Sequence, residues 1–192
     1  MEQLLEQSAR LLKLTAVKYE RSLMHQIHWK SRLIGLTGAR GTGKSTLLLQ
    51  WLKKQHFPAN EAAYFSLDDL YFTAHDLKTL LFDFYKQGGR IAVLDEVHRV
   101  PHWAQAVKNA YDFLPDLQLI FTGSSVIDIR REAADLSRRA VLYNLPGLSY
   151  REYLNWKYGI ALAALNFQEL INGEQDWWQR LPADFRPYAH FA

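Results

Sequence analysis

Cysteine is absent from all 192 residues, which excludes disulfides and thiolate metal sites and leaves a reducing compartment open to the chain. Absent too is any uninterrupted apolar run long enough to span a bilayer. The start, Met-Glu-Gln-Leu-Leu-Glu, is acidic and lacks the basic and apolar regions of a secretory signal. A cytoplasmic location without membrane contact is therefore expected. No low-complexity tract or internal repeat occurs, so a disordered chain and a solenoid are both disfavoured. Excess charge is small: a formal +3 and a pI near 9.0 suit a balanced surface as well as a nucleic-acid surface. The basic pairs Lys53-Lys54, Arg130-Arg131 and Arg138-Arg139 are not drawn out into a run interleaved with aromatics, so no motif marks nucleic acid as a partner. What remains, 48% hydrophobic and 22% charged residues, is the composition of a globular chain able to bury a core.

Against this background one segment carries chemistry. Gly38, Ala39, Arg40, Gly41, Thr42, Gly43, Lys44, Ser45 and Thr46 satisfy the pattern G-x-x-x-x-G-K-[ST]. The glycines let the backbone wrap so that successive N–H groups face phosphate oxygens, Lys44 can reach the β- and γ-phosphates, and the Ser45 hydroxyl can ligate Mg²⁺. Leu33 to Thr37 reads as a buried strand before the loop, and Lys44 onwards reads as a helix whose positive end faces the same anion. The expected ligand is a nucleoside triphosphate with Mg²⁺.

A second strong motif follows in Arg90-Ile-Ala-Val-Leu-Asp95-Glu96. Its apolar run suits a strand covered on both faces, with two carboxylates where an open α/β sheet presents its ligands. Asp95 can hold a water of the Mg²⁺ shell, and Glu96 can orient the water that attacks the γ-phosphate. Further strands are expected over Glu61 to Leu67, over Leu117 to Ser125 and over Ala140 to Asn144. The hydroxyls from Thr122 to Ser125 either sense the γ-phosphate or turn the chain and cap a helix over Val126 to Leu136.

Around these strands the periodicity predicts helices. Leu5, Ala9, Leu12, Ala16, Tyr19, Leu23 and Ile27 fall on one face of a long N-terminal helix whose opposite face, with Glu6, Arg10, Lys13 and Arg21, is solvated. Thr73 and Asp76 resemble a capping box for a helix through Tyr85, and Gly88-Gly89 ends it. A helix from about His102 to Phe113 precedes Pro115. Ser149-Tyr-Arg-Glu152 is a capping box for another helix, and Ala161 to Ile171 reads as helical. The aromatics Trp177, Trp178, Phe185, Tyr188 and Phe191 suggest a core that this chain contains only in part. The spacings His25/His28 and His98/His102 do not make a convincing metal site, since Pro101 breaks any helix between the second pair.

Four segments, Leu-Thr-Gly-Ala-Arg-Gly-Thr-Gly-Lys-Ser-Thr, Leu-Asp-Glu-Val-His-Arg-Val-Pro-His-Trp, Phe-Thr-Gly-Ser-Ser and Leu-Pro-Gly-Leu-Ser-Tyr-Arg-Glu-Tyr-Leu, together resemble the bacterial and archaeal AAA-type ATPase domain often found ahead of a domain of unknown function. The resemblance runs from about Tyr19 to Tyr158. It implies an α/β fold: a P-loop ATPase of the additional-strand, AAA-like kind, with a parallel sheet flanked by helices and a partial C-terminal helical segment. It implies ATP and Mg²⁺ as cofactors, Asp95 and catalytic Glu96 as the acidic pair, and a sensor at Thr122. Arg139 matches the arginine that follows the post-sensor helix, a candidate finger acting in cis or on a neighbouring subunit. Arg138 stands where that family commonly has Gly, and His98 where it commonly has Gln.

The expected organisation is a P-loop core with its N-terminal helix over 1–148, and a helical segment over 149–192 leading to a further C-terminal domain. The expected function is an ATP-hydrolysing nucleotide switch, with Lys44, Glu96 and Arg139 as catalytic residues and Ser45 and Asp95 toward the metal. Arg138 and Arg139 are the candidate contacts for a protein partner or for self-association. The alternatives are a nucleotide-dependent module that binds protein or nucleic acid with negligible hydrolysis, and a small-molecule P-loop kinase. No Asn-Lys-x-Asp base-reading motif argues for guanine.

Overall fold

Continuous apolar runs end in five parallel strands. The computed structural model describes residues 1–58, 60–123, 136, 138–159, 162, 164, 167 and 168. In it the strands are β1 (Leu33–Thr37), β2 (Ala62–Ser66), β3 (Ile91–Asp95), β4 (Gln118–Gly123) and β5 (Val141–Asn144). Every residue of β1 and β3 is buried, as expected for strands with helices on both faces. Their order in the sheet is β2-β3-β4-β1-β5, all pairs being parallel. The loop-bearing strand β1 and the acidic strand β3 are thus separated by β4. This is the additional-strand α/β arrangement that the family resemblance implies.

The helices are α1 (Glu2–Leu14), α2 (Lys44–Gln55), α3 (Tyr71–Ala74), α4 (Leu77–Lys86), α5 (Trp103–Phe113) and α6 (Tyr150–Tyr158). Strand alternation sends Ile34, Leu36, Tyr64, Val93 and Ile120 to one face, where they pack with Leu47, Leu48 and Trp51 of α2. The other face carries Leu33, Phe65, Leu94, Leu119 and Phe121 against Leu81 and Phe84 of α4 and Trp103 and Val107 of α5. No helix among the described residues is long and apolar enough to cross a membrane.

The N-terminal helix is shorter than its periodicity predicts. It stops at Leu14, Thr15 is extended (φ −67°, ψ 123°), and a separate 3-10 turn covers Ser22–His25. Nothing local breaks it; the carbonyls that a continued helix would satisfy are satisfied by α2 instead. Gln50 donates to Ala16 O and Tyr19 O at 2.8 Å each, Lys53 donates to Lys13 O and Thr15 O, and Lys54 pairs with Glu20. The pair Lys53-Lys54 is therefore spent on holding this segment.

One helix start differs from the expected cap. Asp76 caps α4 through its Oδ2 and the Thr79 N–H (2.9 Å), while Thr73 lies inside the four-residue α3. At α6 the capping box forms as expected, with Ser149 and Glu152 exchanging side-chain and backbone bonds. The chain forms two compact units, Met1–Gly147 and Leu148–Ala192. In the second unit Asn155 both donates to Leu162 O and accepts from Leu162 N. The helix expected over Val126 to Leu136, apart from Leu136, lies outside the described residues, as do the C-terminal aromatics and most of Ala161 to Ile171.

Candidate functional site

Parallel strands place all their C-terminal ends on one edge, and here that edge gathers the P-loop, Asp95, Glu96 and Thr122. The P-loop leaves β1 at Gly38 (φ 147°) and enters α2 through Gly43, whose φ of 92° makes it the left-handed N-cap. Gly38 also lies against the chain leaving β5: a Cβ there would come within 2.3 Å of Leu145 O. Glycine is required at that position by contact as well as by conformation. Ala39, Arg40, Gly41 and Thr46 are exposed around the loop. Lys44 is 4% exposed, and its Nζ donates to Gly38 O (2.8 Å) and Ala39 O (3.0 Å). The ammonium is thereby held over the loop that the phosphates would enter.

Register then brings the acidic strand into line. Leu94 pairs with Phe121 and Leu36 with Thr122, so Asp95 emerges beside Thr122 and across β4 from the P-loop. Asp95 is 4% exposed, and both of its oxygens accept hydrogen bonds. Its Oδ2 accepts from Ser45 Oγ (2.6 Å) and from the Tyr64 hydroxyl, and its Oδ1 accepts from Thr122 Oγ1. Thr122 Oγ1 also accepts from the Glu96 N–H at 3.0 Å. Glu96 itself sits at φ 58°, ψ 48°, a left-handed conformation that costs a non-glycine residue about 1–3 kcal/mol. His98 Nε2 lies 3.4 Å from Glu96 Oε2. Burial first, and then the Asp95 charge, push the Tyr64 phenol well above its ordinary pKa, so it remains a donor throughout the physiological range.

The donor set suits a hard cation carried by a polyphosphate. Among the described residues no group of three or more His, Asp or Glu could hold a metal by itself. Mg²⁺ does not require one, because it keeps several waters and takes few protein ligands beside phosphate oxygens. Ser45 donates its proton to Asp95 and so keeps an oxygen lone pair for the metal, while Asp95 can accept from a metal-bound water.

Arg139 is not brought to this edge of its own chain. It precedes β5, whose start at Val141 lies about 10 Å along the strand from the level of Thr37. There its Nε lies 3.1 Å from Asp112 Oδ1 at the end of α5. Arg138 is exposed nearby. Ser124 and Ser125 lie outside the described residues.

Two residues at the site escape sequence reasoning. Arg21, expected on a solvated helix face, is 7% exposed and donates to Thr42 O (2.6 Å), Pro146 O (2.8 Å) and Gly147 O (3.1 Å). It ties the P-loop to the chain leaving β5. Tyr64, read only as part of a strand, reaches Asp95. Neither has a local signal, since a lone arginine in an amphipathic stretch and a tyrosine in an apolar strand both have commoner explanations.

Comparison with known proteins bears on the family and the fold. The family profile described as "AAA domain" matches residues 30–154. An uncharacterized protein of Methanocaldococcus jannaschii is 33% identical over 167 residues, covering 80% of this chain and 34% of that protein. The chain thus spans about a third of that relative's length. Among solved structures, AMPPCP-bound DnaA from Aquifex aeolicus superposes with a TM-score of 0.50 at 16% identity, covering 83% of this chain and 60% of that one. The Hsp104-ADP complex of S. cerevisiae gives 0.49 at 19% identity, over 83% of this chain and 24% of that one. The DnaA structure shares the fold. With its profile matched across well over half of the 192 residues, the chain belongs to the AAA-domain family.

Proposed function

We propose that this chain binds MgATP at the P-loop and hydrolyses it, acting as a nucleotide switch for a partner or for sequence beyond the core. One observation carries the reading: Ser45 Oγ of the P-loop helix lies 2.6 Å from Asp95 Oδ2, with Glu96 next in sequence and bonded through its N–H to Thr122. In this reading the N-terminus of α2 and the loop N–H groups take the phosphates, and Lys44 exchanges its loop carbonyls for β- and γ-phosphate oxygens. Ser45 and Asp95 would hold Mg²⁺, which when bound neutralises developing charge on the phosphates. Glu96 orients the attacking water, and Thr122 links its backbone to the carboxylate beside it. Arg139, at the opposite edge, is assigned to a second copy's phosphates. AMPPCP in the DnaA structure supports the choice of an adenine nucleotide.

A second reading, nucleotide-dependent binding with negligible hydrolysis, is favoured by the His98 contact on Glu96. Two variants separate the readings. Lys44→Ala removes a charge-assisted partner worth about 1.5–3 kcal/mol, so ATP affinity falls roughly 10- to 150-fold. Glu96→Gln keeps ATP affinity and lowers turnover by about 10²-fold or more. Direct binding and phosphate-release assays read both. Unchanged ATP affinity in Lys44→Ala would falsify the site, and parental turnover in Glu96→Gln would assign the water to another residue. Binding without measurable turnover in the parent selects the second reading.

A further inference from the structure

Asp95 is approached by more donors than an acidic pair in a P-loop site requires. A carboxylate offers about four acceptor positions, two on each oxygen. Oδ2 takes Ser45 Oγ and the Tyr64 hydroxyl, and Oδ1 takes Thr122 Oγ1. Three hydroxyls from α2, β2 and β4 therefore occupy three positions, and among the described residues the one left is on Oδ1.

Tyr64 is the donor that belongs to no motif. It comes from β2, the strand at the sheet edge beyond β3, and its backbone pairs with Val93, two residues before Asp95. Alternation puts both side chains on the α2 face, so the tyrosine lies along the sheet towards the carboxylate. Its ring is buried at 6% exposure. Its N–H donates to Ser8 Oγ of α1 at 2.8 Å, with Ser8 2% exposed, so the residue is fixed at the backbone as well as at the hydroxyl.

We infer that Tyr64 is a positioning residue: by filling Oδ2 together with Ser45, its hydroxyl leaves Oδ1 as the oxygen of Asp95 that accepts from a water of the Mg²⁺ shell. The inference rests on the MgATP reading above. Without the hydroxyl, Oδ2 regains an open position and the carboxylate can turn about its terminal torsion, which is broad for Asp. The metal would then meet a less ordered acceptor. Partners that orient metal-site groups in this way typically cost 10- to 100-fold in metal affinity or activity when removed.

Tyr64→Phe tests this, because it deletes one oxygen and retains the ring. Binding of a fluorescent ATP analogue is titrated with Mg²⁺ on the parental chain, on Tyr64→Phe and on Lys44→Ala, and repeated in EDTA. The expected result is an apparent Mg²⁺ affinity weakened by about 10-fold or more in Tyr64→Phe, with metal-free nucleotide affinity as in the parent. The ratio of affinities with and without Mg²⁺ on one sample cancels any loss of folded protein, and thermal melting records that loss separately. An unchanged Mg²⁺ response in Tyr64→Phe overturns the positioning role alone. If the parental chain binds the analogue no better than Lys44→Ala, the MgATP reading falls and this inference falls with it. Equal weakening with and without Mg²⁺ assigns Tyr64 to packing and also overturns the role.

Discussion

Arg21 carries its charge to 7% exposure and spends it on three main-chain carbonyls from two separate segments. A guanidinium suits this because its planar fork can serve diverging acceptors at once, which a lysine ammonium on a flexible stem does less well. Arg21→Ala leaves those carbonyls short of a charged donor, and the expected loss is about 3 kcal/mol, or roughly 6–12 °C in Tm for a chain of this size. Arg21→Lys should restore only part of it. Thermal melts of the two variants against the parent check this, and a shift within the error of the parent would show that Arg21 is dispensable. The role was invisible beforehand for a physical reason: its partners lie 21 and 125 or more positions away. The P-loop and Asp95-Glu96 were legible because their chemistry is concentrated in contiguous residues. Tyr64 was not, since its hydroxyl finds Asp95 only after β2 and β3 have paired in register.

Elements show the same division between local and distant causes. Strands β1, β3 and β4 could be read directly, as their burial on both faces leaves an uninterrupted apolar run bounded by polar ends. The first helix could not, because apolar spacing continues past Leu14 and the interruption comes from Gln50 and Lys53 of α2. At α4 the expected capping box would make Thr73 the cap, but the side chain that captures the free N–H of Thr79 is that of Asp76, three residues on. Asp76→Ala is accordingly expected to cost about 1 kcal/mol, and Thr73→Ala to stay within about 0.5 kcal/mol. Urea unfolding curves for the two variants discriminate them, and a larger loss in Thr73→Ala than in Asp76→Ala would return the cap to Thr73.

For the whole molecule, the separation of Arg139 from its own P-loop decides how activity should depend on concentration. Arg139 and the P-loop occupy opposite ends of parallel strands, so the proposed role of Arg139 on a γ-phosphate is one exerted on another copy. If self-association supplies it, phosphate release per chain rises with protein concentration, and Arg139→Ala flattens that rise while leaving ATP affinity unchanged. Such fingers are worth 10³–10⁵ in turnover, which makes the effect about three orders of magnitude at full assembly. Sedimentation alongside the assay checks that both proteins assemble equally. A parental rate per chain that is constant across concentration would remove Arg139 from the reaction.

Strand β4 gives this arrangement its scale. The Ser45 loop and Asp95 hang from strands that never touch, and the gap between those strands is the width of β4 on either side, about 9–10 Å in all. A spacer of that kind works as a shim: the backbone ladders that β4 makes to β1 and to β3 fix how far the jaws of the site stand apart. The aperture of the proposed site is thus a property of sheet pairing, set at the middle strand rather than by the groups that line it.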